Sequence, residues 1–81
     1  MSFLLDPTQR VEALVAGTLC LMSCFAQSPQ RQHADRIAEN LDTISREACV
    51  TPELRSLCRR LGDRWEAIAD NLGSAMAPAR H

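Results

Sequence analysis

The most apolar part of the sequence is the stretch from Val11 to Ala26, which reads VEALVAGTLCLMSCFA and carries one charge, Glu12. The segments after it alternate apolar and charged residues, as amphipathic helices do. Any fold for this chain must therefore provide a surface that covers this stretch.

Three helices are predicted from one repeated signal, a capping residue followed by proline. The signal occurs at Asp6-Pro7, Ser28-Pro29 and Thr51-Pro52. An oxygen-bearing side chain at the N-cap accepts a hydrogen bond from a free backbone N–H, and proline at the first helical position needs no donor. The expected helices span about 7–26, 29–48 and 52–72.

The expected fold class is all-α, a three-helix up-down-up antiparallel bundle. The chain has 81 residues, enough for one domain, and β-branched residues are too few to favour a sheet. Loops of two or three residues force consecutive helices to run antiparallel. With Gly73 as the residue that ends the third helix, residues 1–73 form a single domain and 74–81 a flexible C-terminal tail.

The second and third helices each carry one apolar stripe at helical spacing. In the second helix the stripe is Ala34, Ile37, Leu41, Ile44 and Ala48. In the third it is Leu54, Leu57, Cys58, Leu61, Trp65, Ile68 and Leu72. Gly62 lies inside the third helix, but the stripe passes it without a change of phase, so we expect one continuous helix.

The first helix has two uncharged sides. The side expected to meet the other helices holds Val11, Leu14, Val15, Thr18, Leu21, Met22 and Phe25. The opposite side holds Ala13, Gly17, Cys20 and Cys24, and in a three-helix monomer it would face water. Such small side chains let another helix approach closely. This small-residue strip (Ala13, Gly17, Cys20 and Cys24) is the candidate interaction face.

Several arrangements could cover the small-residue strip. The N-terminal residues Phe3, Leu4 and Leu5, or the tail around Met76, could fold back over it. A homodimer could pack it against a second copy, because a small domain gains core by oligomerising. A different protein could also dock there.

A further alternative is export, with residues 1–26 as a signal peptide. The apolar run is too short to span a bilayer, but it has the length of a secretory core and ends at a small-x-small sequence, Cys24-Phe25-Ala26. The acidic residues Asp6 and Glu12 before and within it argue against a leader. We therefore expect a cytoplasmic protein, with export as the alternative.

The four cysteines predict neither a disulfide nor a metal site within one chain. Cys20 and Cys24 are four residues apart on one helix, farther than disulfide geometry accepts, and the Cys58 side chain is expected to face the core instead. The spacings also differ from structural zinc motifs. We expect no cofactor, although paired Cys20 and Cys24 of two copies could bind metal or oxidise across a dimer axis.

Neither an enzyme nor a nucleic-acid binder is favoured. His33 has no nucleophile or acid at a spacing that would build a catalytic pair. The net charge is -1, and acidic residues accompany the basic cluster Arg46, Arg55, Arg59, Arg60 and Arg64. All nine basic residues are arginine, which, with the frequent alanine, suggests a GC-rich bacterial genome.

The sequence-based hypothesis is thus a small self-associating or adaptor-type protein-interaction module that acts through its first helix, as a homodimer or with another protein. The alternatives are a metal- or redox-responsive protein that uses the paired cysteines, and a weak nucleic-acid-binding helical domain.

Overall fold

A computed structural model describes residues 6–76 and confirms the all-α three-helix bundle. The helices are α1 (Pro7–Gln27), α2 (Arg31–Ser45) and α3 (Pro52–Met76). The side chains of Arg10 in α1 and Glu47 after α2 are 2.8 Å apart, so the start of α1 lies beside the end of α2. Arg31 at the start of α2 packs over Gly73 near the end of α3. Both neighbouring pairs are therefore antiparallel, and α1 and α3 run in the same direction.

Two of the three capping signals act as predicted. The backbone N–H of Gln9 donates to Asp6 Oδ1 at 2.9 Å, and Gln9 Oε1 accepts from the Asp6 N–H, a complete capping box. At α3, the Leu54 N–H donates to Thr51 Oγ1 at 3.3 Å. Because these hydrogen bonds join residues that are close in the sequence, the local sequence determines where α1 and α3 begin.

The helix α2 is shorter than its predicted span of 29–48. Ser28 serves as the C-cap of α1, where its N–H donates to the Cys24 carbonyl, and Gln30 is still extended. At the other end the chain leaves the helix after Ser45 through a tight turn. This early exit lets Val50 enter the core, where it is 6% exposed.

The helix α3 is continuous, as the phase of its stripe predicts, and it extends beyond the expected end at residue 72. Gly62 is buried against α2, and because glycine has no side chain the two helices can approach each other closely there. Gly73 does not have the positive φ of a helix-ending glycine and lies within the helix. Of the predicted tail, 77–81 lies outside the described residues.

The core is centred on α2. Ile37 and Ile44 are essentially inaccessible to solvent, and with Leu41, Val50 and Cys58 they form one buried cluster. Ala48, predicted as part of this stripe, falls in the loop after α2 and is exposed. Partly buried side chains from the outer helices cover the cluster: Val11, Leu14, Leu21, Met22, Phe25, Leu61 and Trp65.

Within the described ranges, α1 and α3 contact α2 far more closely than they contact each other. No Cα atom of α1 lies within 8 Å of a Cα atom of α3. The two helices meet through the rings of Phe25 and Trp65, whose centroids are 5.0 Å apart in an edge-to-face arrangement. The bundle is therefore open along one side, toward the starts of α1 and α3.

Replacing Ile37 with alanine tests the central position of α2. We expect Ile37→Ala to lower the free energy of unfolding by about 2–5 kcal/mol, because it leaves a cavity in the middle of the buried cluster. Ile37→Val should cost only about 0.5–1.5 kcal/mol. Urea unfolding followed by circular dichroism measures both, and equal costs for the two variants would contradict a close-packed site.

Gly62→Ala tests the close packing of α3 on α2. A Cβ at this position would lie 3.6 Å from the Leu41 Cβ and 3.7 Å from the Ala38 carbonyl oxygen, which are ordinary contacts. We expect the helix propensity of alanine to stabilise the protein by about 0.5–1 kcal/mol. Gly62→Leu should destabilise it in the same unfolding assay, because α2 leaves no room for a longer side chain.

Candidate interaction surface

An apolar groove runs between α1 and α3 and has α2 as its floor. Its α1 wall is formed by Val15, Leu19 and Met22, and its α3 wall by Leu54, Leu57 and Leu61. Thr18 also reaches the groove, but its hydroxyl donates to the Leu14 carbonyl at 2.7 Å and is thereby satisfied within α1. The groove consequently offers a ligand almost nothing but hydrocarbon.

Among the described side chains, those of residues 6–74, the most exposed large apolar ones all lie on this groove. Val15 is 38% exposed, Leu19 61%, and Leu54 and Leu57 41% each. Single exposed apolar residues are common on protein surfaces, but a contiguous set on one surface marks a place where something binds.

The dimensions of the groove suit protein side chains better than a small ligand. Its volume is about 230 Å³, below the range of roughly 300–1,000 Å³ that is usual for small-molecule sites. No convergent polar groups line it to orient a substrate. The arrangement can bury a few aliphatic side chains of a helix.

Helical spacing places charged residues beside the groove at both of its ends. Because residues three, four and seven apart share one side of a helix, Glu12 lies next to Val15 and Leu19, and Glu53 next to Leu57. Arg64 lies next to Leu57 and Leu61 in the same way. The charged side chains at these borders are exposed, and none forms an ion pair within the described residues.

The Phe25–Trp65 contact shows which of these charges share a level along the bundle axis. Glu12 lies thirteen residues before Phe25 and Glu53 twelve before Trp65, so both are about 18–20 Å from that contact at 1.5 Å per residue. Arg64 is adjacent to Trp65 itself. The groove therefore has an acidic end with one carboxylate on each wall, and a basic end on α3.

The predicted small-residue strip is on the surface, on a different side of α1 from the groove. Ala13, Cys20 and Cys24 are exposed and Gly17 is half-buried, and a Cβ at Gly17 would have no atom of another helix within 4 Å. Together the strip and the groove wall leave most of the outer surface of α1 uncharged. The residues proposed to cover the strip from the N-terminus, Phe3 to Leu5, lie outside the described residues, as does the side chain of Met76.

The four cysteines are free and dispersed. Cys58 is 5% exposed in the core and Cys20, Cys24 and Cys49 are exposed, which agrees with the predicted orientations of Cys20, Cys24 and Cys58. Within residues 6–76 no three histidine, cysteine or acidic side chains come together as a metal site would require. Burial raises the pKa of the Cys58 thiol, so less of it is present as reactive thiolate.

His33 lies near the start of α2, and the arginines of α3 lie on two sides of that helix. His33 is half-buried near the start of α2, and its Nδ1 has no hydrogen-bond partner among residues 6–76. On α3 the arginine pair 55 and 59 lies on a different side from the pair 60 and 64. Asp63 and Glu66 lie among them, so no continuous basic surface forms.

No family model matches the chain, and neither a curated protein nor a solved structure shows significant similarity to it. Across the described residues, no helix combines the length and the hydropathy needed to cross a bilayer.

Sequence reasoning missed the groove although it named most of its residues. The helical stripes place Val15, Leu54 and Leu57 in the core, and Leu19 lies outside those stripes. One signal was available: the apolar residues of α1 extend around the helix from Leu21 past Val15 to Leu19, which is wider than the contact with a single neighbouring helix. Which part of that surface remains uncovered depends on how α1 and α3 sit around α2.

Thiol reactivity should separate the cysteines by burial. We expect Cys20, Cys24 and Cys49 to react with an aromatic disulfide reagent in the folded protein, and Cys58 to react only after unfolding, because it is buried and its pKa is raised. Reaction kinetics with peptide mass spectrometry would assign each site. Fast native-state modification of Cys58 would contradict its place in the core.

Proposed function

We propose that this protein is a self-associating protein-interaction module that acts through α1. The observation that carries the proposal is the groove between α1 and α3, on which the exposed Val15, Leu19, Leu54 and Leu57 lie together. A domain of this size gains core most readily by packing against another chain.

The chemistry of the surface supports binding of protein rather than catalysis. The groove walls are aliphatic, and the outer surface of α1 between Ala13 and Gln27 has no charged side chain. An exposed helix in water normally carries charges on its outer side. Burial against another apolar helix would remove this exposed surface from water without leaving a charge unpaired.

Self-association is tested by absolute molar mass from light scattering behind a sizing column, over a wide range of loading concentrations. We expect a mass above that of one 9.0 kDa chain, rising with concentration. Repeating the measurement in reductant, and in reductant with chelator, distinguishes apolar packing from cysteine chemistry. If the dimer is lost in either buffer, the result would instead support the paired cysteines as a redox or metal site. A monomer under all conditions would contradict self-association.

Two variants show which side of α1 forms the contact. Leu19→Arg places a charge in the groove. Gly17→Arg places one on the small-residue strip, where a Cβ would meet no atom of another helix within 4 Å. We expect Leu19→Arg to abolish the dimer and Gly17→Arg to leave it, with helical content unchanged in both. The reverse result would transfer the proposal to the strip formed by Ala13, Gly17, Cys20 and Cys24.

A further inference from the structure

We propose that the occupant of the groove is α1 of a second copy, lying antiparallel to the α1 that forms the groove wall, with its Glu12 beside Arg64. This proposal rests on the self-association proposed above and adds its geometry: which element enters the groove, in which direction, and which charges meet.

The helix α1 has the composition that the groove requires of an occupant. Between Val11 and Ala26, about 24 Å of helix, Glu12 is its only charge. The residues that border Leu19 on its outer side, Ala16 and Ser23, are small and exposed, so two copies of α1 can approach closely there. A twofold arrangement would fill both grooves at once, because each copy supplies both a helix and a groove.

The charges at the two ends of the groove select the direction of the occupant. If the second α1 ran parallel to the first, its Glu12 would lie level with Glu12 and Glu53 of the groove, and three carboxylates would crowd one end. If it runs antiparallel with Leu19 facing its symmetry mate, its Glu12 lies level with Ala26, seven residues farther along. Ala26 is one residue past the Phe25–Trp65 contact and Arg64 is adjacent to Trp65 on α3, so the two charges come to about the same level along the bundle.

The helix dipoles favour the same direction. The helices α1 and α3 that form the walls run parallel to each other, so both place their positive ends at the acidic end of the groove. An antiparallel occupant would place its negative C-terminus there and its positive N-terminus at the opposite end. An antiparallel occupant therefore avoids aligning its own helix dipole with the dipoles of the two wall helices.

Charge reversal tests the contact between Glu12 and Arg64. Glu12→Arg and Arg64→Glu should each weaken the dimer by about two- to fivefold per contact, and the twofold axis applies that factor twice. The double variant, with the pair exchanged, should restore the wild-type dissociation constant. Arg59→Glu, an equal change of charge on another exposed side of α3, is the matched control and should have little effect. Sedimentation equilibrium measures all four variants, and circular dichroism verifies that each is folded.

A distance measurement tests the direction independently of the charges. With Cys20, Cys24 and Cys49 replaced by serine, a spin label on Gln27→Cys reports the separation of the two α1 C-termini. Antiparallel helices centred on Leu19 place these positions about 24 Å apart along the axis, and parallel helices place them about 10 Å apart.

The possible results separate this inference from the proposed function. A dimer in which the double variant is not rescued, or in which the labels lie close together, would overturn the antiparallel arrangement and leave self-association intact. A monomeric wild-type protein would overturn both, and would point to a groove covered from within or by a different protein.

Discussion

The fold depends on the burial of α2 between two helices that do not enclose it completely. Ile37, Leu41 and Ile44 face α1 and α3 and have almost no exposure, so α2 contributes the centre of the only buried cluster in the described residues. The outer helices each bury one side against α2. Because their Cα atoms stay more than 8 Å apart, the sides that face each other remain partly open to water.

This geometry explains why the apolar content of α1 exceeds what the bundle buries. At Phe25 and Trp65 the outer helices touch through large rings and close that part of the bundle. Toward the starts of the helices the facing residues are aliphatic and shorter, and α1 and α3 meet there only across the groove. Because the residues are aromatic at one end and aliphatic at the other, the two helices leave an opening that is wide enough for a few aliphatic side chains.

The parts of the structure that depend on local interactions could be predicted from the sequence. The Asp6 capping box and the Thr51 cap each involve residues three positions apart, and the stripe through Ile37 and Leu41 follows the helical repeat. The ends of α2 could not be predicted in this way. Val50 must reach the core, and that tertiary requirement ends the helix at Ser45 although the residues after it are compatible with helix.

The candidate surface was predictable only in part, for the same reason. Composition alone shows that α1 has an unusually uncharged exterior. Composition does not show whether the groove side or the small-residue strip is the larger apolar surface, because that depends on the angle at which α1 packs on α2. Exposure favours the groove side: Leu19 alone leaves 61% of its surface in water, while the strip consists of small residues with little area to bury. Since the hydrophobic gain scales with apolar area, the groove has more to gain from a partner than the strip does.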